Sequence, residues 1–446
     1  MVGSKFTWFT EDRVIGEKKM TRSSWKRAAV AFPMVLALGV ASYGSSRGAH
    51  AASARSMNFT MTIGDVEAYT GDLGALGAPA DKAVKLASQR LNKAAKQAGL
   101  HIHFKVVTAD SQSNPQTAIS AARQVVDEGA SCITGPLSTP EAIAILNSVT
   151  KFKHIAMLPS ATSIALRQVN DGHTIFRTVP PDSLQARALV ISVNSYLHGA
   201  KGKIVAIGYQ NSAYGEGLAT AFEKSWTAMG GNVQGPIGYD PSQASYDSEA
   251  QKVVSHNPSA FVFADFPDTF GKVAAALLRT GRFSAKKLFV SDALAVSPIP
   301  SAIPAAALNG AYATNAGSPT GTPQSKAFNT LYTKAPGPGR SALDSNNFDA
   351  GILCGLAAVA AHSNSAPQIT AEMMKISGPS GAQFTYLKLA NAMRALVAGK
   401  RIHYEGVSGP IDFNAQGDTS AGTYDLSTWR HGTLHLVRLI NAKGKG

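Results

Sequence analysis

Two hydroxyls, Ser138 and Thr139, stand in Gly135-Pro136-Leu137-Ser138-Thr139-Pro140-Glu141, directly after the short apolar run Ser131 to Thr134. Ser138 with Glu141 three residues on matches a capping box, and Pro140 suits a first helical turn, so capping alone accounts for these residues. A helix N-terminus at the carboxyl end of a parallel strand also stabilises a carboxylate, through oriented amides plus a hydroxyl. With two adjacent hydroxyls, one can cap while the other binds. A second cluster, Pro159-Ser160-Ala161-Thr162-Ser163, follows the run His154 to Leu158 and reaches the same sheet edge, where a plain polar turn is the alternative. A third segment spaces Gly71, Gly74 and Gly77 as Gly-x-x-Gly-x-x-Gly, which gives either amides facing an anion or a tight strand-to-helix turn without ligand duty. This chemistry is capture of a small anion and needs no general acid, base or metal.

Motifs for catalysis are poor. Gly44-Ser45-Ser46-Arg47-Gly48 fits Gly-x-Ser-x-Gly, but it adjoins an apolar leader and lacks the strand-turn-helix context of a nucleophile elbow. There is no His-Glu-x-x-His, no Cys-x-x-Cys pair and no phosphate loop. His101 and His103 share a strand face and His431 and His435 are four apart, yet neither pair has a nearby third ligand, so no metal and no cofactor is expected. Cys132 falls in a buried strand pattern and Cys354 in a helical one (Phe348 to Ala361). An oxidising compartment permits a disulfide between them, but the expectation is two buried free thiols.

The 446 residues, 44% hydrophobic and 16% charged, exceed what one compact core holds, so two lobes are expected. Of the net charge of +14, residues 1–51 carry eight Lys/Arg against three acids. The rest is a dispersed basic surface without the basic-aromatic interleaving of a nucleic-acid groove, so no nucleic-acid partner is expected. Lys18, Lys19, Arg22, Lys26 and Arg27 precede the apolar run Ala28 to Val40, which is shorter than the ~20 residues of a membrane span. With Ala49-His50-Ala51 after it, this reads as a signal peptide over 1–51, cleaved to leave Ala52 first. No cysteine follows the apolar run, so a soluble periplasmic protein is expected and not a lipoprotein.

These motifs must be held by alternating elements. Thr60 to Val66, His101 to Val107, Ser131 to Thr134 and His154 to Leu158 read as strands, separated by helical patterns Ala78 to Ala98, Pro115 to Glu128 and Pro140 to Val149. A second series runs Lys203 to Tyr209, Gly217 to Met229, Phe261 to Ala264, Phe270 to Thr280 and Leu288 to Ser291. Strand-helix alternation implies parallel sheets with crossover helices, hence an α/β fold of two doubly wound lobes. Thr174 to Asp182, with its β-branched residues and Pro180-Pro181, reads as an extended strand between them.

From Phe59 to about Val437 the chain resembles the type I periplasmic binding proteins of the Leu/Ile/Val-binding branch. The resemblance rests on ordered motifs: Thr70-Gly71 to Gly77; Asp110 with Asn114-Pro115; Gly135 to Ser138; Pro159 to Thr162; Phe176-Arg177; Tyr214-Gly215-Glu216-Gly217; Phe348-Asp349-Ala350; and Gly406 to Phe413 with Gly417-Asp418. It implies two lobes joined by three crossover segments, near Phe176 to Pro181, Ala311 to Asn315 and Ser408 to Phe413. Lobe one would be 52–178 and 313–408, and lobe two 179–312 and 409–446. Carried over by position, Thr139 beside Ser138 would hold a ligand carboxylate, Ser160 would offer its carbonyl, and Thr162 both amide and hydroxyl. Tyr214 would close over the ligand, and Asp292 would meet its ammonium.

Two positions depart from the pattern. Leu76 stands where an aromatic often lines the side-chain pocket, and Asp265-Phe266 where a tyrosine commonly points into the cleft. The resemblance implies the extracytoplasmic solute-binding component of an ABC importer, closing on an amino-acid-like ligand and docking on a membrane permease, with no enzymatic activity. A ligand-sensing receptor module of the same fold is the alternative, and an exported hydrolase would need a Ser/His/acid set in one pocket.

Overall fold

The computed structural model describes residues 57–443 except 171 and 379. The leader Ala28 to Val40, the tripeptide Ala49-His50-Ala51 and the serine-elbow match Gly44 to Gly48 lie outside the described residues.

Strand β1 (Asn58–Glu67) carries Phe59, Thr60, Thr62, Ile63 and Val66, side chains that suit a pleated surface, and is buried from Met61 onward. It pairs in parallel with β2 (His101–Asp110) and β3 (Ala130–Thr134), and β3 pairs with β4 (Ala156–Leu158), giving the order β2-β1-β3-β4. Helices α1 (Gly74–Ala98), α2 (Pro115–Asp127) and α3 (Thr139–Ile145) make the crossovers. Asn114 explains its own motif: its side chain accepts the amides of Gln116 and Thr117 and starts α2, with Pro115 in the first turn.

The second lobe begins with α4 (Asp182–Tyr196) and runs through β5 (Ile204–Gln210), α5 (Ala213–Thr227), β6 (Asn232–Tyr239), α6 (Asp247–Val254), β7 (Ala260–Ala264), α7 (Pro267–Arg279), β8 (Leu288–Val290) and β9 (Tyr312–Ala316). Helix α8 (Asp344–Ala361) returns to pack on α1, followed by a small β10 (Ala382–Phe384) and β11 (Ile402–Tyr404) pair. A hairpin of β12 (Ala421–Arg430) and β13 (Thr433–Lys443) closes the chain. The second sheet is ordered β13-β12-β9-β8-β7-β5-β6, parallel from β6 to β9 and antiparallel at β12 and β13.

The lobes are tied by chain crossings that touch one another. Ile175 bridges Met157 beside β4, and two residues on the amide of Arg177 donates to the carbonyl of Gly417 at 2.7 Å. The middle crossing follows β9 and does not precede it: the segment expected near Ala311 to Asn315, with the boundary at 313, lies inside a strand of the second sheet.

The expectation of free thiols is corrected. Cys132 on β3 and Cys354 on α8 form a disulfide, with Cα atoms 5.9 Å apart despite 222 residues of separation. Packing of α8 over the face of the first sheet brings them within bridging distance, which no sequence spacing reveals.

Candidate ligand-binding site

The glycine turn after β1 is built for packing. Gly71 has φ +81°, and a Cβ at Gly77 would lie 1.8 Å from the carbonyl oxygen of Ala68, so α1 starts only if that position is bare. Five of its amides are occupied: Tyr69 and Thr70 donate to Asp110, Leu73 to Ser113 Oγ, Gly74 to Gly71 and Leu76 to Leu73. Most of the turn's amides are thus engaged within the protein, and the turn presents Leu73 and Leu76 to the cleft.

After β3, the two hydroxyls divide the labour. Ser138 accepts the Glu141 amide at 3.5 Å while its own amide donates to Glu141 Oε2 at 3.2 Å, completing the capping box. Thr139 Oγ1 accepts the Ser163 amide at 3.4 Å, which leaves its hydroxyl proton to donate. The loop after β4 is held at five backbone groups, while the Thr162 amide and the Ser160 carbonyl make no bond among the described residues. Ser160 donates to the Pro136 carbonyl, the carbonyls of Ala161 and Ser163 accept from the Arg177 guanidinium at 3.3 and 2.8 Å, and that of Thr162 accepts from the Asp182 amide at 2.8 Å. Arg177 is wholly buried and its Nε donates to Asp418 Oδ1 at 2.6 Å, with Arg167 on the other oxygen. Thus Phe176-Arg177 and Gly417-Asp418 are the buckle between the crossings and this loop.

From lobe two, Tyr214 in the first turn of α5 donates its hydroxyl to Asp292 Oδ1 at 2.5 Å, and its ring stacks on Phe266 with centroids 5.1 Å apart. All six residues expected from sequence, Ser138, Thr139, Ser160, Thr162, Tyr214 and Asp292, line one pocket, together with Leu73, Leu76, Leu137, Phe266, Ala293 and Leu343. The space left among these side chains is only about 20 Å³, room for about one water. Leu73, Leu76 and Leu137 of lobe one belong to the same buried apolar cluster as Tyr214 and Ala293 of lobe two, so the lobes are in contact around it.

Sequence reasoning missed the apolar contributors Leu73, Leu137, Ala293 and Leu343, and one acid, while Phe266 lines the pocket from the segment expected at the cleft. Leu343 adopts φ +70°, an unfavourable conformation for a leucine, immediately before α8 and against the pocket. Asp182 is fully buried behind Thr162, whose hydroxyl is the group facing its carboxyl. Burial pushes its carboxyl up to about 8, the charge of Asp292 adds to the rise, and Thr162 and Arg177 oppose it. Asp292 is also raised by burial, against the hydrogen bonds of Tyr214 and Gln185. The lobe-two wall thus places two buried carboxyls close together, both raised by burial. An acid after Pro180-Pro181 at the start of a helix was the signal that could have found Asp182.

His101 and His103 lie exposed on β2, His431 and His435 on the hairpin, and no cluster of metal-binding geometry occurs among the described residues.

A family model described as periplasmic binding protein matches residues 60–432. BasB of Halobacterium salinarum, a substrate-binding protein of a chemotactic signal transduction system, is 24% identical over 361 residues, 80% of this chain and 84% of that protein. LivJ of Streptococcus pneumoniae, a branched-chain amino acid transporter substrate binding protein solved with isoleucine, superposes with a TM-score of 0.67 at 20% identity, over 86% of this chain and 99% of its own. An ABC transporter solute binding protein of R. palustris in complex with 4-hydroxybenzoate gives a TM-score of 0.65 at 16% identity, over 87% and 98%.

Proposed function

Because the chain belongs to the periplasmic binding protein family, we propose that it captures a small zwitterionic solute between its lobes, outside the cytoplasmic membrane, and delivers it to an ABC permease. The observation that carries this reading is the opposition across one pocket of the hydroxyls of Ser138, Thr139, Ser160 and Thr162 on lobe one and the Asp292 carboxyl on lobe two. Thr139 and Thr162 donate to the carboxylate of an α-amino acid, and Asp292 pairs with its ammonium once closure expels water. Leu73, Leu76, Leu137 and Leu343 receive an aliphatic side chain.

The isoleucine bound in the pneumococcal protein fits this chemistry; the 4-hydroxybenzoate of the other has a carboxylate but no ammonium, and would leave Asp292 unpaired. The Cys132–Cys354 bond supports an oxidising compartment, as does the basic leader with its apolar run. A second reading, a sensor that passes its closed state to a receptor, is favoured by the likeness to BasB. A thermal-shift screen of branched-chain amino acids, amides and hydroxybenzoates tests the ligand class, since a ligand at 100 times its Kd adds about 2.7 kcal/mol. Stabilisation by hydroxybenzoates alone would overturn the zwitterion. Capture by detergent-solubilised permease in the presence of ligand separates importer from sensor.

A further inference from the structure

Helix α7 begins without a cap of its own: Phe266 stands at the N-cap position, and no side chain of its own segment bonds the first turn. The missing acceptor comes from the other lobe. The amide of Asp268 donates to Asp72 Oδ1 at 2.7 Å, and Asp72 sits in the glycine turn after β1. A carboxylate at this position satisfies an otherwise orphan donor and meets the positive end of a thirteen-residue helix. A second hydrogen bond crosses the cleft, from Ser163 Oγ to the carbonyl of Ala213 at 2.7 Å in the first turn of α5.

We propose that Asp72 acts as a latch, capping α7 from across the cleft and setting ligand affinity through lobe closure without touching the ligand. This rests on the reading of the cleft as the ligand site. Asp72 and Ser163 each adjoin a pocket residue, Leu73 and Thr162, so the turns that seat a ligand are the turns that fasten the lobes. The Asp72 carboxyl is pushed up to about 6 by burial, with the Asp268 amide and Lys272 opposing and the charge of Asp268 adding to the rise. It is thus a group that lobe contact takes partly out of water. Opening would expose Asp72, release the α7 amide to solvent, and leave the rest of each lobe unchanged, which makes Asp72 a positioning residue for capture.

The test uses the full chain with spin labels at Lys93→Cys on lobe one and Lys224→Cys on lobe two. Both native cysteines are bonded, so labels go only where intended. In the ligand-free protein, Asp72→Ala should shift the interlobe distance distribution to longer values, whereas Asp72→Asn, which keeps an acceptor oxygen, should resemble wild type. With isoleucine as the probe, Asp72→Ala should dissociate about tenfold faster at an association rate within roughly twofold of wild type. Loss of the α7 cap lowers the ligand-free thermal midpoint slightly in either case, so the interlobe distance, which a merely structural cap would not move, is the deciding readout. A wild-type distance distribution for Asp72→Ala would overturn the latch, as would an Asp72→Asn protein as open as Asp72→Ala. Failure of wild type to bind any amino acid would instead count against the zwitterion reading, and the ligand-free distances would still judge the latch.

Discussion

The two walls of the cleft are braced to different degrees. On lobe one, the loop that bears Ser160 and Thr162 has the carbonyls of Ala161, Thr162 and Ser163 bonded and the amides of Ser160 and Ser163 engaged, with buried Arg177 and Asp418 behind it. Beneath it the Cys132–Cys354 bond fastens β3 to α8. On lobe two, Tyr214 bonds one oxygen of Asp292, and the neighbouring Asp182 is met by the Thr162 hydroxyl of the other lobe. The first wall is thus pinned to the crossings behind it, and the second has no such bracing of its acids. Lobe one is therefore the platform that receives the solute, and lobe two is the part whose free energy changes on capture.

Breaking the brace should give the largest effect. Cys132→Ala with Cys354→Ala should reduce the unfolding free energy by about 2–5 kcal/mol in denaturant titrations, because the bridge closes a 222-residue separation. Affinity measured under native conditions should stay within roughly twofold, as the bonds at Arg177 remain. A parallel loss of affinity would mean that the platform depends on the bridge.

The hydroxyl wall should respond more mildly. Thr139→Ala removes one donor to the ligand carboxylate but leaves Thr162, so calorimetry should show a loss of about 1 kcal/mol, roughly fivefold in Kd. Ser138→Ala removes the cap of α3 and should appear in stability more than in affinity.

The buried acids sharpen the comparison through pH. Burial raises Asp65 and Asp182 to about 8, with the charges of Asp81 and Asp292 adding, and raises Asp349 to about 6. The folded form then holds protons that the unfolded chain releases near pH 4. The stability these groups contribute is complete below that range and is lost as pH rises through 6 to 8. The thermal midpoint of the ligand-free protein should fall by a few degrees between pH 5 and 8.5, and a rise over that interval would contradict the protonated state of these carboxyls.

Much of this was legible in the sequence because its signals are local. Strand β3 followed by Ser138-x-x-Glu141 fixes a helix start at a sheet edge, and the capping box formed as its spacing implies. The hydroxyl clusters lie at the ends of consecutive parallel strands, so they had to converge. The C-terminal hairpin was overlooked although His431-Gly432, both at positive φ between two alternating strands, is a tight-turn signal. Strand β6 was hidden by Gly235, Pro236 and Gly238, which read as a loop. The disulfide, Leu343 and the Asp72 contact join segments far apart in the chain, and only the packed structure brings them together.

The central claim, that an acid on lobe two waits for the ammonium of a solute seated on lobe one, is tested most directly by calorimetry with isoleucine and its des-amino carboxylate on wild type and on Asp292→Asn. Wild type should prefer isoleucine by more than tenfold, since removing one member of a buried charge pair costs roughly 2–5 kcal/mol. Asp292→Asn should erase that preference, with the midpoint of the ligand-free protein nearly unchanged. Equal binding of the two ligands by wild type, or an undiminished preference in Asp292→Asn, would contradict the account.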